Sequence, residues 1–153
     1  MPSYSCIGSG TSNSVASTED NFLEITAAAS SGVGVYRVLV CPDTASLDNL
    51  FEPRLIRTTA AGSTGTAGTV NKMDPNARAT ASTLTVKNTT TDFTVGGSPV
   101  YLLDASINCR SPFEWVANTD DDMMRANGST YFVVGIKVEV ASKLFKCCTY
   151  WRE

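Results

Sequence analysis

Short runs that alternate apolar and polar residues recur along this chain, with turn residues between them and no stretch of capped helical periodicity. A period of two puts every second side chain on one face, as a half-buried strand requires. The stretches that read as strands, with the alternation plainest in 22–26, 53–59 and 112–117, are 22–26 (FLEIT), 33–40 (VGVYRVLV), 53–59 (PRLIRTT), 82–87 (STLTVK), 99–108 (PVYLLDASIN), 112–117 (PFEWVA), 131–140 (YFVVGIKVEV) and 144–151 (LFKCCTYW). A shorter one at 93–95 precedes Gly96 and Gly97. In 112–117 the alternation puts Phe113 and Trp115 on one face and Glu114 on the other. Strands repeating at intervals of about ten residues without intervening helices predict an all-β fold, an antiparallel β-sandwich, jelly-roll-like at this strand number.

Between the runs, 41–43 ends a strand at a proline and 43–50 reads as a short helical turn or a long loop. The stretch 60–70 (AAGSTGTAGTV) suits either a flexible loop or a strand packed closely on a neighbour, and 73–75 and 118–122 are turns. Residues 1–20 are rich in Ser, Gly and Thr and show no sustained alternation. They are expected to form an extended N-terminal arm, ordered only against a partner, ahead of a single β-sandwich domain over 21–153. Pro2, Tyr4 and Ile7 are the candidate partner contacts in that arm.

A chain of 153 residues fits one domain with a core of its own. Charged residues make up only 18%, their place taken by Ser, Thr, Gly and Ala. So weakly charged a surface is poorly protected against association, which suits a protein that works in an assembly. The net charge of -3 argues against binding nucleic acid through its phosphates. No apolar run approaches the ~18 residues a membrane-spanning helix needs. Residues 1–11 lack the basic and apolar regions of a secretory signal, so folding in the cytosol is expected. The five cysteines, Cys6, Cys41, Cys109, Cys147 and Cys148, are then expected as free thiols acting as small buried hydrophobes. Without a secretory route, the acceptor-like Asn88 and Asn127 carry no implication of glycosylation.

The chain has no histidine, which removes the commonest general base, the commonest metal ligand and every Ser-His or Cys-His nucleophile. Asp120, Asp121 and Asp122 share one turn and read as a solvated loop before calcium, and as calcium before catalysis. Gly62, Gly65 and Gly68 lack the GKS or GKT ending of a phosphate loop. Phe113, Trp115, Tyr150 and Trp151 read first as core or subunit interface and second as a sugar-stacking platform. No catalytic, metal or cofactor site is expected.

Four stretches taken together, LIRTTAAGSTGTAGTV, MDPNARATAST, PFEWVA and the closing TYWRE, resemble small virion-associated proteins of tailed bacteriophages. The resemblance spans Leu55 to about Trp115 and the last strand, and its motifs are compositional. It implies a capsid decoration or cement protein: a trimeric β-sandwich, found in the virion, that binds the major capsid protein and has no catalytic residues. Asn118 to Asp122 with Met123 and Met124 depart from the Pro/Gly-rich loop such proteins often carry there. Removing 1–20 is then expected to leave a folded oligomer that no longer binds its shell. Two other classes stay open: a receptor- or carbohydrate-binding module of a phage tail or fibre, and a hydrolase drawing on Glu114, Glu139 and the Asp120 turn.

Overall fold

The computed structural model describes residues 1–11, 19–43, 48–63, 65–87, 94–128, 130–139 and 143–153. Nine longer or central strands carry the architecture: β1 (Ser3–Thr11), β2 (Glu19–Thr26), β3 (Val33–Pro42), β4 (Leu50–Thr58), β8 (Thr83–Val86), β10 (Val100–Asp104), β12 (Phe113–Val116), β14 (Tyr131–Val138) and β15 (Leu144–Arg152). Six short ones complete it: β5 (Ala60–Ser63), β6 (Thr66–Ala67), β7 (Asn71–Lys72), β9 (Thr94–Gly96), β11 (Ile107–Asn108) and β13 (Met124–Ala126). The protein is an all-β sandwich of antiparallel sheets. One sheet, here sheet A, runs β12-β3-β15-β1-β7 with β13 also on β3; sheet B runs β10-β4-β14-β2-β8-β6 with β11 also on β4.

The pairing is nested along the chain. β1 pairs with β15, β2 with β14, β3 with β12 and β4 with β10, all antiparallel. The first half of the chain is thus a ribbon partner of the second half, and successive strands pass from one sheet to the other. Two further pairings, β15 with β3 and β14 with β4, join the turns of that ribbon.

Alternation explains the core. In β15, Phe145, Cys147, Thr149 and Trp151 point inward and Lys146, Cys148 and Tyr150 outward. From sheet B, Phe22, Leu23, Ile25, Phe51, Leu55, Phe132 and Val134 meet them across the interior. Rings pack between the sheets, Phe145 at 5.3 Å from Phe51 and 6.2 Å from Phe22. The outer face of sheet B is partly covered too: β5 and β9 form a small flap, and Val95 packs on Ile56 and Val133. That cover is why Leu55 and Ile56 are both buried although they face opposite ways.

Pro53 lies inside β4, a strand with neighbours on both sides, where its missing N–H would normally break a ladder. On one flank β10 pairs only as far as Arg54 and β11 resumes at Phe51, so the proline falls in the gap between them.

The expected N-terminal arm is corrected over Ser3–Thr11; residues 12–18 of it lie outside the described residues. Ser3–Thr11 pairs with β15 at nine positions, and Tyr4 and Cys6 are fully buried. This segment is a strand of the domain, because its inward side chains complete the wall over Trp151 and Cys147. Removing it would expose that wall and not merely a binding tail. Half of the expected helical turn or loop at 43–50, residues 44–47, lies outside the described residues, as do Asn88 and Phe93. The 60–70 stretch is partly strand, and an added Cβ at Gly68 would meet Leu84 Cδ2 at 2.6 Å, so it packs closely.

Candidate functional site

The two sheets meet along two seams, and the seams differ. On the β1/β2/β8 side the sheets approach closely. A Cβ added at Gly8 would lie 3.1 Å from Phe22 O, and one at Gly10 would lie 2.9 Å from Lys87 Cδ. Lys87 and Asp20 form an ion pair of 3.0 Å there, with side chains 2% and 0% exposed. The Lys87 ammonium also donates to Thr11 O at 2.8 Å. Nearby, the segment leading from β7 to β8 is strapped down. Tyr4 donates its hydroxyl to Arg78 O at 3.1 Å. Glu153 accepts from the Thr80 hydroxyl and from the Ala81 and Ser82 amides, at 2.9 and 3.1 Å for the amides. Burial pushes the Glu153 carboxyl up, but these donors outweigh it and hold it below the usual glutamate value.

On the opposite side, between β12 and β13 of sheet A and β4 and β10 of sheet B, the seam is open. Two adjoining hollows of about 850 and 620 Å³ share Arg57, Met123 and Arg125 in their linings, and the larger extends past the strand ends to Ser31, Thr59, Asn127 and Glu153. Met123 is buried and reaches Gly34, where a Cβ would meet its sulfur at 3.0 Å. Trp115 and Leu102 line one hollow and Val33 and Val100 the other. Arg57 is directly opposite Phe132 of β14, and directly opposed residues share a face. Since Phe132 is core, Arg57 lies on the core face of its sheet, at the mouth of the sandwich. It is half-buried and, among the described residues, its guanidinium makes no hydrogen bond or ion pair.

A second surface is the outer face of sheet A. Registers align Ile7, Cys148, Leu39 and Glu114 in one row, and Ser5, Tyr150, Arg37 and Val116 in the next. Ile7 is 64% exposed and Val116 50%. A ladder of contacts crosses this face: Glu114 to Arg37 at 2.7 Å, Arg37 over the Tyr150 ring at 5.2 Å, Tyr150 to Tyr36 at 6.2 Å, Arg152 over Tyr36 at 5.2 Å, and Arg152 to Asp120 at 2.8 Å. The charges satisfy one another, so the face is aromatic and aliphatic with little net charge.

Of the three expected partner contacts, Ile7 stands on this outer face and Pro2 is half-buried at the rim. Tyr4 is corrected: its ring is buried 5.9 Å from Trp151 and unavailable to a partner. The aromatic set does not assemble as one platform. Phe113 and Trp151 are buried, Trp115 lines the open seam, and Tyr150 faces away from Trp151 across the sheet. Asp120–Asp122 is a single 3-10 turn whose Asp122 accepts from the Thr119 amide and hydroxyl at 3.1 and 3.0 Å. Among the described residues no group of three or more acidic or cysteine side chains is placed to hold a metal ion. Glu114, Glu139 and Asp120 sit on three separate elements, engaged respectively by Arg37, the Leu50 amide and Arg152.

All five cysteines are free. Burial pushes the Cys6 thiol up to about 12 and raises Cys147 well above its usual value, so both are poor nucleophiles. Glu24, under the β5 flap, is raised by burial against the opposing effect of one amide bond from Gly62 at 2.8 Å. Sequence reasoning missed the open seam; the one available signal was that Arg57 keeps phase with Leu55 along β4.

Among the described residues no helix is long and apolar enough to cross a membrane. No protein-family model, curated protein or solved structure matches this chain.

Proposed function

We propose that this protein is a structural component of a tailed-phage virion, a capsid decoration or cement protein that binds the major capsid protein as a homotrimer. The observation that carries the reading is the nested strand order. Eight strands lie in the orders β1-β15-β3-β12 and β2-β14-β4-β10, an arrangement that supports a jelly-roll reading, and viral capsid domains are among the proteins built on that plan. The outer face of sheet A supports a binding role: its row of exposed Ile7 and half-buried Leu39, with charges neutralised in place, suits contact with a protein surface. A sandwich whose outermost strands are short also suits a protein that must associate without endless edge-to-edge pairing.

The reading is tested on particles and in solution. Virions purified from the encoding genome should contain the chain at a fixed ratio to the major shell protein, and Ile7→Asp should lower that ratio without unfolding the domain. Light scattering on the isolated protein should give about three times the 16.3 kDa chain mass. Particles free of the chain would overturn the virion reading, and a monomer would overturn the trimer.

A further inference from the structure

We infer that the open seam is an acceptor groove for an extended peptide segment bearing a carboxylate, with Arg57 as the anchor. The inference goes beyond the virion reading, because it concerns a different surface and holds for any partner carrying such a segment.

The first ground is a donor surplus. Three carboxylates line the groove, and each is already engaged: Asp120 by Arg152 at 2.8 Å, Asp122 by Thr119, and Glu153 by the 80–82 strap. Arg125 gives one bond, at 2.9 Å, to a backbone carbonyl, Asp120 O. Arg57 gives none among the described residues. A guanidinium offers five N–H donors in a fixed fork and cannot shed its charge. Half-buried on the core face, it has lost part of its water without gaining an acceptor, a state that an incoming anion relieves. A carboxylate matches the fork in a two-bond geometry.

The second ground selects the carrier of that carboxylate. The groove is two hollows long, so a lone small anion on Arg57 would leave most of it empty. Apolar side chains of Met123, Val100, Leu102 and Trp115 line it among polar and charged ones. Its walls are sheet rims, for among the described residues β10 pairs only with β4, and β12 and β13 only with β3. Rim strands present backbone donors and acceptors to an extended chain, while alternate side chains of that chain enter the pockets. An acidic residue between two apolar ones, in extended form, satisfies all three features.

The test is NMR titration of the full-length protein with three probes: the capped peptide acetyl-Thr-Val-Glu-Val-Thr-amide, its Gln analogue, and glutarate. The Glu peptide should shift the Arg57 Nε–H, Trp115 indole and Met123 methyl signals with a millimolar Kd. The Gln analogue should bind about tenfold more weakly or worse. Arg57→Gln should abolish binding of the Glu peptide with the spectrum otherwise retained, and Arg57→Lys should keep only part of it, because an ammonium cannot make the two-bond fork. Binding unchanged in Arg57→Gln, or no shift by about 10 mM peptide, would overturn the proposal. So would shifts confined to Ile7 and Tyr150. Glutarate binding as tightly as the peptide would replace the peptide groove with a small-anion pocket.

Discussion

The two seams of this sandwich each hold a cation at their rim, and they treat it in opposite ways. Lys87 on the closed side is almost fully buried, paired with Asp20 at 3.0 Å and bonded to Thr11 O. Arg57 on the open side is half-buried with no partner among the described residues. The closed side also removes bulk, with Gly8 and Gly10 where larger side chains would collide with Phe22 and Lys87. The open side keeps bulk at its walls, with Trp115, Leu102 and Met123 around a hollow. A buried charge whose partner is internal belongs to the fold. A charge held at the mouth of a groove without a partner is free to serve something else.

The sharpest way to break the comparison is to remove the strand that closes the first seam. Deleting 1–11 takes away nine β15 pairings and the Tyr4 and Cys6 wall. The truncated chain should lose its cooperative urea transition and its NMR dispersion. A folded, dispersed product would return this segment to the status of an appended arm. Next in size is Asp20→Ala, which takes the Asp20 carboxylate away from the buried Lys87 ammonium. Removing one partner of a buried pair costs about 3–5 kcal/mol, read as a lower urea midpoint at unchanged slope. Replacing both partners together, Asp20→Leu with Lys87→Met, should recover most of the loss. If the single change cost nothing, the pair would have to be solvated and the seam less tightly closed.

The difference between the seams also explains which parts of the molecule were legible in the sequence. The strands from Phe22 onward announce themselves because their inward positions are large and apolar, as in Phe132, Val134 and Ile136. In β1 the inward positions are Tyr4, Cys6, Gly8 and Gly10, and two of the four carry no side chain to signal burial. Glycine suits the close approach of the sheets there, where an added Cβ would crowd Phe22 and Lys87, so the tightness that makes the strand structural also hides it. Arg57 was hidden differently. Two adjacent buried residues, Leu55 and Ile56, blur the alternation on which its facing depends, and the cause is the β5–β9 flap, a tertiary contact. The Asp120–Asp122 turn was legible because turn chemistry is local.

The strap that Glu153 makes with residues 80–82 should answer to acid. The Glu153 carboxyl sits below its usual value in the folded protein, since bonds from Ser82, Thr80 and Ala81 outweigh the effect of burial. A carboxyl depressed on folding contributes stability that is present above its unfolded value and lost as pH falls through the folded one. Glu153→Gln should therefore destabilise the protein at neutral pH by roughly 1–2 kcal/mol, discounted for partial exposure. Wild type and variant should converge in acid. A gap in urea midpoint that stayed constant from neutral to acidic pH would show that the carboxylate form is not what holds the 80–82 segment.

Arg57→Met should have the smallest effect on folding, and its smallness is informative. The substitution keeps an unbranched apolar stem against Leu55 and Val100 and removes a guanidinium that has no internal bond to lose. The urea midpoint should move by no more than an amount worth about 0.5 kcal/mol, and an increase is as consistent as a decrease, because a partly desolvated charge is gone. A loss approaching that of Asp20→Ala would mean that Arg57 is held by structure after all, and the two seams would then use their cations alike. A near-neutral result, set beside the large loss at Asp20, would separate a charge that the fold needs from one that it merely carries to an open groove.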